Sequence, residues 1–566
     1  MGTSSTNLRQ LDIPRHTSAW SWHGWYLGHA EKLACRNQNW ALALTIAIQL
    51  RPFTMFSTLV GTFVLMGVTV FVAFRLRNYG HREPRFPPGP PTVPILGNVL
   101  QFPRLFPFLQ FSLWAVKYGD IYSLKVLNQT MVVLSSPRAI KDVLDKNGIS
   151  TSDRFQPYTL LHAEGIYQIF DLASSHRWKA MRKATHTLLA PEALRGYWAF
   201  QQTEYLRLLH DVLESPEDIF THIKRTTASI MTTLIYGKSI PHYAGSKAEL
   251  FFEGTKCINE LVAPFDHPPL DFFPILRHVP ERWAPWKTLS KKTKRIRDSF
   301  DQDLFLQCEE AVQSGKRPVC FVENVLDTKV ELGVSRDEAR AMGRVLLDAG
   351  TETSASFLHS FVMAMACYPE VQSKAQDEID RVLRSDQLPL LEDYDDLPYL
   401  QAIIKELHRF RPITPAGIPH AASHDTQYNG FVIPEGSIIF MNTWGVFHDP
   451  EFFDDPESFN PERYILSEFG TKVGADTEGF RDSLPFGAGR RICPGMDMAS
   501  RNIAMNAINL LWAFRFSKDT LGICSMDLEN YLPGLELALK PFTCNIEVRG
   551  EARARLIREA YDAAAM

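Results

Sequence analysis

One cysteine stands where chemistry could be done. The ten residues Phe486 to Gly495, FGAGRRICPG, set Cys493 among three glycines and two arginines, and the apolar-periodic stretch MDMASRNIAMNAINLLWAF follows at once. A helix beginning there would place Cys493 at its N-terminus, where the dipole and free N–H groups favour a thiolate. A dinucleotide-binding loop fails, because Gly487-Ala488-Gly489 is followed by Arg490, Arg491 and Ile492 where a third glycine is needed. A plain structural turn and a metal-thiolate site remain. The other cysteines form no C-x-x-C pair, which excludes a zinc knuckle and a dense disulfide framework.

Three further stretches place reactive or charged side chains at helical spacing. In KELHRFRP, Glu406 and Arg409 stand three apart on one face of a helix closed by Pro412. In RWKAMRK, Trp178 and Arg182 lie one turn apart. In AGTETS, residues 349–354, Glu352 and neighbouring hydroxyls interrupt an apolar helical run. This is either an exposed turn or a place where a hydroxyl beside an acid delivers protons inside an apolar cavity.

Phe486, Gly489, Arg491, Cys493 and Gly495 match Phe-x-x-Gly-x-Arg-x-Cys-x-Gly, and on these residues the chain resembles the cytochrome P450 family. The resemblance implies haem (heme b) with Cys493 as the axial thiolate of its iron. It also implies that Arg491, Trp178, Arg182 and His420 hold the haem propionates and that Phe486 packs near the sulfur. Thr353, with Glu352 as proton relay, would hold a water beside dioxygen. Glu406, Arg409 and Arg463 of FNPERY would form a buried brace under the cysteine loop. By the same resemblance one oxygen atom enters a lipophilic small molecule. The electrons would come from NADPH only indirectly, through a membrane-bound flavoprotein reductase docked by Arg177, Lys179, Lys183 and Arg490. Substrate would meet residues 151–170, Leu346, Ala349, ITPAGI after Pro412, Leu532 and Leu535. Phe265, Leu270, Phe272 and Phe273 would dip into the bilayer. The combination of span, proline hinge and LDFFPILRHVPERWAPW resembles microsomal fungal members, so a role in secondary metabolite biosynthesis is expected. Two other readings stay open: the same haem fold rearranging or dehydrating a substrate without external electrons, and a cofactor-free membrane interaction protein.

The elements that must position these residues are mainly helices with a small β part. SRDEARAMGRVLLDAGTETSASFLHSFVMAMA opens with Ser335 and Glu338 in capping-box spacing and continues toward Pro369, so one long helix carries Thr353. YSLKVLNQTMVVLSS and YNGFVIPEGSIIFMN read as hairpins turning at Asn128 and at Asn429-Gly430. The 23 uncharged residues between Arg51 and Arg75 suffice to cross a hydrocarbon layer of roughly 30 Å. The organisation expected is an N-terminal extension (1–51), a transmembrane helix (52–74), a proline-rich hinge (75–98), a haem-thiolate domain (99–549) and a tail (550–566). Arg75, Arg77, Arg82 and Arg85 after the span put the catalytic domain in the cytosol, giving a single-pass protein of the endoplasmic reticulum membrane. The run Lys287 to Arg297, six bases and no acid, reads as a surface helix near anionic lipid or simply exposed. A formal charge of −4 spread over 566 residues argues against a nucleic-acid partner.

Overall fold

Ser335 starts the element around which the rest is packed. Its hydroxyl accepts the Glu338 N–H, the Glu338 carboxylate accepts the Ser335 N–H at 2.7 Å, and the helix Arg336–Cys367 runs from this capping box until Pro369 forbids continuation. Every residue from Ser354 to Ala366 is buried, Phe357, Leu358, Phe361 and Val362 among them, so this half of the helix lies inside the core. Two glycines set how closely its neighbour approaches. A Cβ at Gly350 would meet the Met231 methyl at 2.4 Å, and one at Gly343 would meet the Tyr236 hydroxyl at 2.9 Å. The helix Ile219–Tyr236 therefore lies directly against this one. The helix Met496–Ala513, which follows the cysteine loop, packs on it too, and the main hydrophobic cluster runs through all three.

The structure is a computed structural model that describes residues 59–72, 79–165, 167–263, 266–317, 319–384, 386–519 and 525–565. It divides into two units, 1–78 and 79–566. In the first, residues 59–72 are helical and exposed throughout. Among the described residues no helix is long and apolar enough to cross a membrane. The remainder of the expected span, the extension before it, Arg75, Arg77 and Phe265 lie outside the described residues.

In the second unit the β part is small, as expected. Ile121–Val126 pairs antiparallel with Gln129–Leu134, and the five-stranded sheet continues through Ile438–Met441, His420–Ala421 and Asp153–Arg154. Both expected turns are present. At the first, positive φ falls on Leu127 (55°) rather than on Asn128. The second stretch is divided. Thr426–Tyr428 and Phe431–Ile433 form a hairpin with Asn429 at φ 48° and Gly430 at φ 82°. Gly436, at φ 77°, then turns the chain so that Ile438–Met441 runs parallel to Gln129–Leu134 instead.

The proline hinge, from Tyr79 onward, is pinned rather than free. Arg82 donates to Gly89 O (3.0 Å), Pro90 O (2.9 Å) and Ser123 O (2.7 Å), and Asn98 donates to Pro91 O (3.0 Å), holding the segment against the strand Ile121–Val126. The expected tail contains the helix Glu551–Ala565, docked by buried Ile557, by Arg558 on Glu214 (3.0 Å) and by Tyr561 stacked on His210 (3.9 Å).

The basic run lies in the helix Pro285–Gln313 and is not uniformly exposed. Lys292 pairs with Glu253 (3.1 Å) and Lys294 with Asp298 (3.2 Å), whereas Arg297 is buried. Arg297 pairs with Asp348 and, at 2.9 Å, with Glu164. Arg344 bonds Glu164 (2.8 Å) and Asp301 (2.8 Å), and the Tyr167 hydroxyl donates to Asp348 (2.9 Å). This buried network ties the loop 151–170 to two long helices.

Candidate functional site

The cysteine loop is shaped by what its glycines allow. Gly489 has φ 57°, a Cβ there would lie 2.1 Å from Leu144 O, and its N–H donates to Asp145 at 2.6 Å. The Cys493 N–H donates to Phe486 O (2.9 Å), closing the loop just before the helix Met496–Ala513. The thiol is free. Burial pushes it upward, while the Gly495 N–H and Arg182 pull it down. The helix terminus expected to yield a thiolate is thus outweighed by desolvation, and a cation at the sulfur is what would deprotonate it. The Phe486 ring sits 5.3 Å from His408, which sits 4.5 Å from Phe357, one turn beyond Thr353 in the long helix.

Beside the loop the chain gathers guanidinium groups, with the Asp153 and Asp171 carboxylates near Arg491 but not in ion-pair contact with it. Arg491 donates to Ser152 O (2.7 Å) and to Asp171 O, and lies 4.3 Å over the Trp178 ring. Arg182, from the helix His176–Leu188, donates to Ile492 O. Buried His420 shares a hydrogen bond with Thr151 O at 2.9 Å and pairs in the sheet with Arg154. Arg154 was not singled out by sequence reasoning. It donates to Ile418 O, but its Nε is buried without a partner. Among the described residues no carboxylate lies within ion-pair distance of Arg154, Arg182 or Arg491. Burial lowers all three: Arg491 to about 10, and Arg154 well below the usual arginine range, where Arg491 and Arg182 repel it further. Like charges, Arg154 buried and Arg182 and Arg491 partly so, together with an orphaned donor suit a di-anionic ligand. Thiol and arginine cluster together fit a haem, with the sulfur for its iron and the guanidinium groups for its carboxylates. Of the side chains expected to dock a reductase, Lys179, Lys183 and Arg490 are exposed, and Arg177 is paired with Asp171.

Under the loop, Glu406 receives Arg409 Nε at 2.7 Å and Arg463 Nε at 3.1 Å, all three buried. Arg409 also donates to the carbonyls of Phe447 (2.8 Å), Pro456 (2.8 Å) and Ser458 (2.9 Å).

In the long helix the Thr353 hydroxyl donates to Ala349 O. Burial raises Glu352 to about 7, opposed by Lys224 and by a hydrogen bond from Thr255. Its proton is therefore held below about pH 7 and lost above it. If Glu352 supplies protons, turnover falls as pH rises through about 7, and in Glu352→Gln that limb disappears at a lower plateau. Steady-state rates across pH check this, an unchanged limb in the variant being the contrary result.

The family profile described as Cytochrome P450 matches residues 87–539. The chain belongs to the cytochrome P450 family and is an enzyme of its monooxygenase class. It is 38% identical over 500 residues to the cytochrome P450 monooxygenase ple5B of Rhodocybe pseudopiperita, covering 87% of this chain and 95% of that one. It is 36% identical over 507 residues to the cytochrome P450 monooxygenase patI of Penicillium expansum, covering 87% and 94%. A zebra fish cytochrome P450 solved with progesterone superposes with a TM-score of 0.66 at 22% identity, over 78% of this chain and 99% of that one. That likeness concerns the fold. Membership implies a haem with a thiolate ligand.

Proposed function

We propose that this protein is a membrane-anchored haem-thiolate monooxygenase that inserts one atom of dioxygen into a lipophilic small molecule in fungal secondary metabolite biosynthesis. The observation that carries the reading is the free thiol of Cys493 beside Arg154, Arg182 and Arg491, which have no carboxylate partner. When bound, the haem supplies the reductive activation of dioxygen and the transfer of an oxygen atom. Cys493 would ligate its iron, and Arg154, Arg182, Arg491, Trp178 and His420 would hold its carboxylates. Glu352 holds a proton up to about pH 7 and, one residue from the Thr353 hydroxyl, would pass it toward the reacting face. Phe357, Leu358 and Phe361 keep that stretch of helix dry.

Electrons would arrive from NADPH through a flavoprotein reductase seated on Lys179, Lys183 and Arg490. Residues 52–74 would anchor the chain in the endoplasmic reticulum membrane, with the catalytic domain cytosolic. Relatives named as monooxygenases in fungi support the reaction class. The test is turnover under heavy-isotope dioxygen with reductase, NADPH and fungal lipophilic extracts: one labelled oxygen atom in the product is expected. Product formed without reductase, or carrying oxygen from water, would overturn the proposal.

A further inference from the structure

The chain that leads into the cysteine loop is laid along the stretch from Pro137 to Lys146. Two glycines permit the contact: a Cβ at Gly479 (φ 92°) would meet Pro137 O at 2.5 Å, and one at Gly489 would meet Leu144 O. Between these two points lies Phe486, whose carbonyl accepts the Cys493 N–H. The supporting stretch begins as the α-helix Pro137–Ile140 and continues as a π-helical turn, Lys141–Lys146, in which the Asn147 N–H donates to Asp142 O at 3.3 Å. Single π-helical turns are rare and recur at functional sites. This one carries Asp145. One oxygen of its carboxylate accepts the Gly489 N–H at 2.6 Å and the other meets Arg481 at 3.0 Å, so a single group grips the segment 481–489 at both ends. Arg481 also donates to Gly479 O (3.2 Å). A carboxylate holding a backbone N–H makes a charge-assisted bond, whereas an exposed ion pair contributes little. Cys493 lies just beyond, its sulfur receiving the Gly495 N–H.

We propose that Asp145 is a positioning residue for the thiolate: through Gly489 it fixes the cysteine loop, so that the Cys493 sulfur keeps its place and its N–H donor when haem is bound. The proposal rests on the haem reading above. Asp145 acts through the backbone of the loop. Without it the loop can carry the sulfur away from the Gly495 N–H, leaving a more basic thiolate that takes up a proton more readily and is then the weaker ligand. The Asp145 side chain is 32% exposed, so water can replace it on either partner and the effect stays within the loop instead of spreading through the core.

The test compares full-length haem-loaded wild type with Asp145→Ala, Asp145→Asn and Arg481→Gln. Amide hydrogen exchange is followed in residues 484–493 and, as a control, in residues 354–366. The second readout is the rate at which the thiolate-type band of the reduced carbon-monoxide complex gives way to the shorter-wavelength band of a protonated thiol. In Asp145→Ala the Gly489 and Cys493 amides should exchange, and the band should convert, about tenfold faster, the size of one hydrogen bond to a charged group. Exchange in residues 354–366 and the melting temperature should match wild type. Asp145→Asn keeps an oxygen for the Gly489 N–H and should retain most of the protection, and Arg481→Gln, which removes only the ion pair, should stay close to wild type. Wild-type rates in Asp145→Ala would overturn the proposal. So would an Asp145→Asn variant as fast as Asp145→Ala, or faster exchange throughout the chain with a lower melting temperature, the mark of a merely structural role. Wild-type protein without any Soret band would instead defeat the haem reading, leaving exchange at Gly489 and Cys493 to decide Asp145.

Discussion

Replacing Glu406 with glutamine is expected to leave little or no folded, haem-loaded protein. The substitution preserves shape and removes one charge, but that charge answers both Arg409 and Arg463 in a site with no exposure. Breaking a buried pair by neutralising one partner costs about 3–5 kcal/mol, against a total stability of roughly 5–15 kcal/mol for a domain. The loss also spreads. Arg409 holds three carbonyls between Phe447 and Ser458, and the Asn460 N–H donates to Glu406 at 2.7 Å, so the segment leading to the cysteine loop loses its brace. Arg409→Lys should be nearly as damaging, since one ammonium cannot reproduce five planar donors. Soluble yield and the urea midpoint check both variants; a midpoint equal to wild type would contradict the role given to Glu406.

Arg154→Leu is expected to behave in the opposite way when haem is absent. In the chain alone this guanidinium is desolvated and repelled by Arg491 and Arg182, so the haem-free variant should melt no lower than wild type. Once haem is bound the same change removes a charged hydrogen bond to a carboxylate, about 1.5–3 kcal/mol, and haem release should quicken by about ten- to a hundredfold. Transfer of haem to an excess of a haem-scavenging protein measures that rate. A purely structural arginine would give the reverse pattern, with a lower melting temperature and an unchanged rate of release.

The parts of this site that were legible in the sequence are those whose partners lie close along the chain. The spacing from Phe486 to Gly495 is local, as are the capping box at Ser335 and the Glu406–Arg409 step, and each carries its geometry within a turn or two. Arg154 was not legible, because its meeting with His420 depends on the pairing of Asp153–Arg154 with His420–Ala421, far apart in sequence. Arg297 could have been found. Thr293, Arg297, Phe300 and Leu304 follow helical periodicity on one buried face, and that period outweighs the count of bases around them. Asn128 lies in the expected turn, with Leu127 beside it taking the positive φ, because the register Val126↔Gln129 leaves these two residues to connect the strands. The helix dipole at Cys493 was correctly placed but over-weighted, since desolvation is the larger influence on the thiol.

The most direct measurement of the central claim is the absorbance spectrum of the reduced, carbon-monoxide-treated protein, purified after expression with haem supply, beside that of Cys493→Ser. The account predicts a Soret band displaced to the long wavelength that a thiolate ligand imposes in wild type, and no such displacement in the variant. A displaced band that survives in Cys493→Ser, or wild-type protein that binds haem without the displacement, would contradict it.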